Sequence, residues 1–171
     1  MEILTYVMAG RLGHKDSMGH TSVLKAGAFQ RMSAGTGVTH SEVNDSAKSQ
    51  VHLYQIWILP ERSGLKPSYE ESHVESTRRK NEWILIASRS GTGSLMTIHQ
   101  DVSVYLASIE NGFRLDYHLK HRAAWLQVVE GAIEMNGILF EAGDGAGIVG
   151  ESHLRLSGKA PSEVLFFDLP P

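Results

Sequence analysis

Gly27-Ala28-Phe29-Gln30-Arg31-Met32-Ser33-Ala34-Gly35-Thr36-Gly37-Val38-Thr39-His40-Ser41-Glu42-Val43-Asn44 places a tight glycine turn directly before a His-x-Glu pair. If Thr39–Val43 is extended, side chains two apart share one face. His40 and Glu42 then project together, an imidazole beside a carboxylate. Both are donor types suited to Fe, Mn, Cu, Ni or Zn. The same pair on a surface strand would merely stabilise each other, so the neighbouring sequence has to decide. The glycines Gly35 and Gly37 suggest a phosphate cradle only weakly, because no helix follows to supply a dipole.

Working outward, the period is that of strands. Phe113, Leu115, Tyr117 and Leu119 alternate with Arg114, Asp116 and His118, a period of two. Val51–Leu59 is rich in β-branched and aromatic residues and is expected to be a largely buried strand ended by Pro60. Asn111-Gly112 and Asn136-Gly137 are hairpin signals, and Asp16-Ser17-Met18-Gly19 is a further turn. Glu70–Lys80 has no apolar stripe and is expected to be a polar loop with one helical turn at most. Many short strands between Gly-rich turns indicate an all-β barrel or sandwich.

The chain also repeats itself. Tyr6-Val7-Met8-Ala9-Gly10-Arg11-Leu12 is echoed by Gln127-Val128-Val129-Glu130-Gly131-Ala132-Ile133. Val23-Leu24-Lys25-Ala26-Gly27-Ala28 is echoed by Leu139-Phe140-Glu141-Ala142-Gly143-Asp144. Two related β-units follow, with residues 1–60 as the first, 61–81 as a crossover and 82–171 as the second. Where the first copy arrives at His40-x-Glu42, the second arrives at His153-Leu154-Arg155, and an arginine is no metal ligand. The second unit is therefore expected to be structural.

Composition narrows the function. With 171 residues and a net charge of −3, no global field attracts nucleic acid or an anionic membrane. No apolar run approaches the ~20 residues that span a bilayer. Met1–Tyr6 lacks a basic region followed by an apolar core, so no secretory signal is expected. There is no cysteine, which excludes disulfides and thiolate sites and fits a cytoplasmic protein. Any metal site must use His, Asp, Glu and water. The other candidates read as structure: His14, His20, His52, His99, His118 and His121 show no His-x-His spacing, and Trp57, Trp83 and Trp125 are expected in the core. Arg78-Arg79-Lys80 reads as a solvated loop.

Gly37-x-x-His40-x-x-x-Asn44 is similar to the second motif of the cupin superfamily. The chain more specifically resembles the pirin family, and within it the bacterial quercetin 2,3-dioxygenase-like pirins. The resemblance is carried by Met1-Glu2-Ile3-Leu4-Thr5-Tyr6-Val7, Asp16-Ser17-Met18-Gly19, Gln30–Gly37, His40-Ser41-Glu42, His52–Ile58 and Leu165-Phe166-Phe167-Asp168-Leu169-Pro170-Pro171. It implies an all-β bicupin with its metal in the N-terminal barrel alone, held in the family by three histidines and a glutamate. His40 and Glu42 carry over. The other two histidines belong to a His-Pro-His element upstream of the segment at which this sequence begins. That implies an incomplete N-terminal barrel, from a truncated or naturally short form, and a site left inactive by two absent ligands. Glu2 stands in the place of a first-motif glutamate and is expected to be solvated.

The activity implied is a metal-dependent dioxygenase that opens a flavonol ring with O2. Iron is the first choice of metal, with Cu, Mn, Ni and Zn as alternatives, and Glu42 is a ligand or a general base for the substrate hydroxyl. The competing reading is a non-catalytic scaffold or transcription-related binding protein. An opened barrel also implies self-association through its exposed edges.

Overall fold

The computed structural model describes residues 1–75, 80–119 and 123–171. Arg78, Arg79 and His121 lie outside them. The described residues form β-strands and no α-helix, in two compact units.

The first unit comprises Met1–Glu75 with Ile98–Gln100. It holds β1 (Glu2–Ala9), β2 (Arg11–Asp16), β3 (Thr21–Lys25), β4 (Ala28–Ser33), β5 (His40–Asn44), β6 (His52–Ile58) and β7 (Ser68–His73). These make a four-stranded sheet in the order β6-β1-β4-β7 and a three-stranded sheet in the order β3-β2-β5. One end of the space between the sheets is apolar, with Val7, Leu12, Leu24 and Ala28 buried and Val51 and Leu53 against them.

The second unit holds β8 (Ile84–Ser88), β9 (Met96–Thr97), β10 (Ser103–Ile109), β11 (Arg114–His118), β12 (Ala123–Glu130), β13 (Ala132–Met135), β14 (Ile138–Glu141), β15 (Gly145–Ile148), β16 (His153–Gly158) and β17 (Ser162–Leu169). Its sheets run β15-β12-β17-β10-β8-β9 and β11-β16-β13-β14. Its core joins Leu126, Ile133, Leu154, Leu156, Val164 and Phe166, with Trp83, Tyr105 and Tyr117 packed on it.

The sequence repeat is a repeat of structure. β1 bulges against β6 between Val7 and Ala9, and β12 bulges against β17 between Val128 and Glu130. Gly10 (φ 78°) and Gly131 (φ 77°) follow the two bulges. A Cβ on Gly10 would stand 2.2 Å from the Gln50 carbonyl oxygen, and one on Gly131 2.2 Å from that of Pro161. Both corners therefore require glycine, for conformation and for space. The Gly27 N–H donates to Val7 O at 2.9 Å, as the Gly143 N–H does to Val128 O at 2.9 Å.

Several sequence expectations are corrected. Residues 68–73, expected within the crossover, form β7 and pair with β4 from Ala28↔His73 to Ser33↔Ser68. The first unit thus runs past Pro60. This edge strand hides from a periodicity search because its residues are polar on both faces. β6 is also an edge strand and is not largely buried: Trp57 is 66% exposed and Leu59 70%. Trp125 is likewise partly exposed, its ring lying against Gly145, so only Trp83 belongs to a packed aromatic cluster. Asn136-Gly137 has positive φ at both residues and joins the paired β13 and β14. Asn111-Gly112 turns the chain without making a hairpin, since β10 and β11 lie in different sheets. His99 lies outside the strands.

Glu2 is fully buried rather than solvated. Its carboxylate accepts from Ser33 Oγ (3.1 Å), the His99 backbone N–H (2.7 Å) and, at 2.8 Å, pairs with His99 Nδ1. A buried carboxylate needs such partners to offset its lost hydration.

Candidate metal centre

Direct pairing in an antiparallel sheet puts side chains on one face. Thr5 on β1 pairs with Gln30 on one side and Gln55 on the other, and Gln30 pairs with Glu71. The next row is Trp57–Ile3–Met32–Tyr69. Across the gap, β2 and β5 pair His14↔Glu42 and Asp16↔His40. Beyond its apolar end, the space between the two sheets is therefore lined by polar groups from both.

Glu42 is the hub. Gln30 Nε2 donates to its Oε1 at 2.8 Å and Gln55 Nε2 to its Oε2 at 2.7 Å. The far ends of those amides are fixed as well. Trp57 Nε1 donates to Gln55 Oε1 at 3.1 Å, and the Tyr69 oxygen lies 2.9 Å from Gln30 Oε1. The single phenolic proton of Tyr69 is donated to the Glu71 carboxylate, and Ser22 Oγ lies within hydrogen-bond distance of the Tyr69 oxygen. Burial, followed by the Glu71 carboxylate, raises the Tyr69 pKa, so the phenol stays protonated at neutral pH.

His14 is buried behind this hub. Its Nε2 lies 3.2 Å from Asp16 Oδ2, its ring stacks on Tyr69 with centroids 4.8 Å apart, and it is 5.9 Å from the His40 ring. Its Nδ1 has no hydrogen-bond partner and stands 3.7 Å from Glu42 Oε1. The structure thus brings His14 to the predicted pair, whereas the sequence alone reads it as an ordinary strand histidine. Gln30, Gln55 and Tyr69 went unmarked as site residues. The available signal was a glutamine within each strand-like segment, beside Arg31 in Ala28–Met32 and alone among apolar residues in Leu53–Trp57.

Asp16 anchors the β2–β3 turn. Burial opposes its charge, but the hydrogen bond from His14, those from the His20 backbone and ring, and that from Met18 N–H win and lower its pKa from 3.8 to about 2. A carboxyl with a lowered folded pKa stabilises fully above its unfolded value and loses that contribution as pH falls through the folded value. Wild-type stability is therefore expected to fall towards that of Asp16→Asn as the pH drops from 3.8 to about 2. Chemical denaturation of both proteins along an acid series checks it.

The donor set meets half of what a metal needs. His40 is exposed and Glu42 is held on the same strand face, with the orphaned His14 Nδ1 beside them. Among the described residues no group of three His, Asp or Glu side chains converges on one point. Gly35 and Gly37 make no cradle, since the N–H groups of Thr36 and Gly37 bond Leu65 O and Ala34 O.

The second unit supplies the control. Aligned on Gly10 and Gly131 and on their strand pairings, His14 corresponds to Met135, Gln30 to Ala146, His40 to Leu154, Glu42 to Leu156 and Gln55 to Phe166. The sequence comparison had set His153 and Arg155 against the pair, one residue out of register. A slip of one exchanges the faces of a strand. His153 and Arg155 point away from the core that Leu154 and Leu156 enter.

Residues 1–58 match the family model for pirin, and residues 85–169 match that for the quercetinase C-terminal cupin domain. The chain is 41% identical to quercetin 2,3-dioxygenase of Escherichia coli K12 over all of its own length and 73% of that protein. The chain belongs to the pirin family. Its fold is the all-β bicupin of that family. The E. coli pirin YhhW, solved in complex with nickel(II), superposes with a TM-score of 0.93 at 40% identity, over 100% of this chain and 73% of YhhW. The E. coli protein YhaK gives a TM-score of 0.85 at 26% identity, over 99% of this chain and 75% of YhaK.

Proposed function

We propose that the first unit of this pirin carries His40 and Glu42 as two ligands of a divalent metal, iron in the first place, in a site for oxygen-dependent ring opening of a flavonol. The observation that carries the reading is the pair itself, a carboxylate oriented by two amides beside an outward imidazole. It sits in a space that the second unit fills with Leu154, Leu156 and Phe166. The E. coli relative, named quercetin 2,3-dioxygenase and solved as a pirin with nickel(II), supports a divalent metal and a flavonol substrate class.

A bound metal would supply Lewis-acid polarisation of the substrate and access to dioxygen chemistry. The residues of the chain do the rest. Gln30 and Gln55 hold one lone pair on each Glu42 oxygen and leave the others to accept from a metal or a substrate hydroxyl. His40, exposed at the start of β5, marks the side from which a ligand arrives. His14, stacked on Tyr69 and tied to Asp16, backs the site without reaching solvent.

The test is oxygen consumption with quercetin by metal-loaded protein. Turnover that disappears in His40→Ala supports the reading; no turnover at full metal occupancy overturns it. The competing reading is a non-catalytic binding protein. That alternative predicts partner binding indifferent to His40→Ala and Glu42→Ala.

A further inference from the structure

The outer face of the sheet β11-β16-β13-β14 holds a cleft of about 740 Å³, built from second-unit residues alone. Strand alternation turns Leu154 and Leu156 into the core and leaves Arg155 and Ser157 outside. Arg155 stands directly opposite Asp116 of β11, and Ser157 stands between Arg114 of β11 and Glu134 of β13. Opposite charges that face each other across a strand pair normally attract and bond. Here Asp116 instead lies 3.0 Å from His153 Nε2, and Glu134 pairs with Lys159 Nζ at 2.9 Å. Glu151, on the rim, lies 3.5 Å from Asn136 Nδ2. The Arg114 and Arg155 guanidinium groups and the Ser157 hydroxyl have no hydrogen-bond or ion-pair partner among the described residues. The charges of the cleft thus balance in number but not in placement, and three neighbouring donors are left over. The first unit carries Ser41, Val43 and Gly13 at the outward positions that match Arg155, Ser157 and Glu134, so the fold does not require this set.

We propose that this cleft binds a phosphate group carried on a small polar molecule, with Arg114, Arg155 and Ser157 donating to the phosphate oxygens. A guanidinium presents parallel N–H donors that match a phosphate, and it keeps its charge at any working pH. A carboxylate offers two oxygens to these three groups, whereas a phosphate offers three. The cleft lies within the roughly 300–1,000 Å³ of small-molecule sites, more than a single oxyanion fills. Glu134, Asn136 and Glu151 supply acceptors for the hydroxyl groups of the remainder. The site shares no residue with the metal centre proposed in the first unit, so each stands or falls by itself.

Calorimetric titration at low salt in phosphate-free buffer, with inorganic phosphate, glycerol phosphate and acetate as probes, tests it. Glycerol phosphate is expected to bind the wild type at least as tightly as inorganic phosphate, and acetate about 10-fold more weakly than either. Arg155→Gln is expected to weaken phosphate binding about 10-fold and Ser157→Ala about threefold. The double variant Arg114→Gln/Arg155→Gln is expected to show no measurable binding. Lys25→Gln removes one positive charge from the first unit and is expected to change the affinity by less than about twofold, because salt screens a distant charge. The substituted side chains lie on outer faces, and circular dichroism of each variant is expected to match the wild type. Failure of the wild type to bind either phosphate overturns the proposal, as does binding retained by the double variant. Acetate bound as tightly as phosphate, or glycerol phosphate bound far more weakly than the free ion, overturns the assigned ligand class.

Discussion

Leu156→Glu is expected to unfold the second unit. Leu156 is 1% exposed and packs with Ile133, Leu154 and Phe166. A carboxylate introduced there meets no donor and must be buried uncompensated or protonated. Such changes cost on the order of 4–5 kcal/mol, a large part of the roughly 5–15 kcal/mol that holds a domain together. Circular dichroism and denaturant unfolding should show loss of cooperative structure. The first unit carries a glutamate at the corresponding position and is folded around it, because Gln30 and Gln55 reach Glu42 from the opposite sheet. The same residue type is thus tolerated in one copy and excluded from the other by the partners facing it.

The reciprocal change, Glu42→Leu, is expected to leave the protein folded and to remove its metal affinity. Gln30 is fully buried and would lose its acceptor, which costs about 1–3 kcal/mol for an unsatisfied buried donor. Gln55 is exposed and can turn to water. Loss of an outer-shell partner typically weakens a metal site about 10- to 100-fold, so loss of a ligand should reach at least the upper end of that range. Calorimetric nickel titration paired with a denaturation curve separates the two effects. A variant that melts early and still binds metal would contradict the assignment of Glu42.

Much of this was legible because it depends on short-range periodicity. The alternation over Phe113–Leu119 marked β11, and the paired segments around Gly10 and Gly131 marked the duplication. His40 and Glu42 were legible because two residues on one strand share a face without any tertiary information.

What was missed depends on pairing between strands. Gln30 and Gln55 are neighbours only through Thr5, which separates them in the sheet but not in any sequence window. Tyr69 arrives on an edge strand too polar to register as one. Glu2 looked terminal and solvated, yet its oxygens are occupied from β4 and from His99. The slip that matched Arg155 to Glu42 arose from matching histidine to histidine instead of facing to facing. The hairpin bonds and bulges restore the register and replace one silent arginine by a continuous apolar set.

Among the described strands, β5 and β6 end their sheets, whereas the matching β16 and β17 are flanked by β11 and β10.

The most direct measurement is the stoichiometry of nickel bound by wild type, His40→Ala and His153→Ala. His118 and His153 stack in the second unit with ring centroids 4.3 Å apart, and Asp116 lies 3.0 Å from His153, so these imidazoles are the alternative place for an ion to associate. One ion per chain that is lost in His40→Ala and kept in His153→Ala is the predicted result. Binding that survives His40→Ala and disappears in His153→Ala would place the metal in the wrong unit and contradict the account.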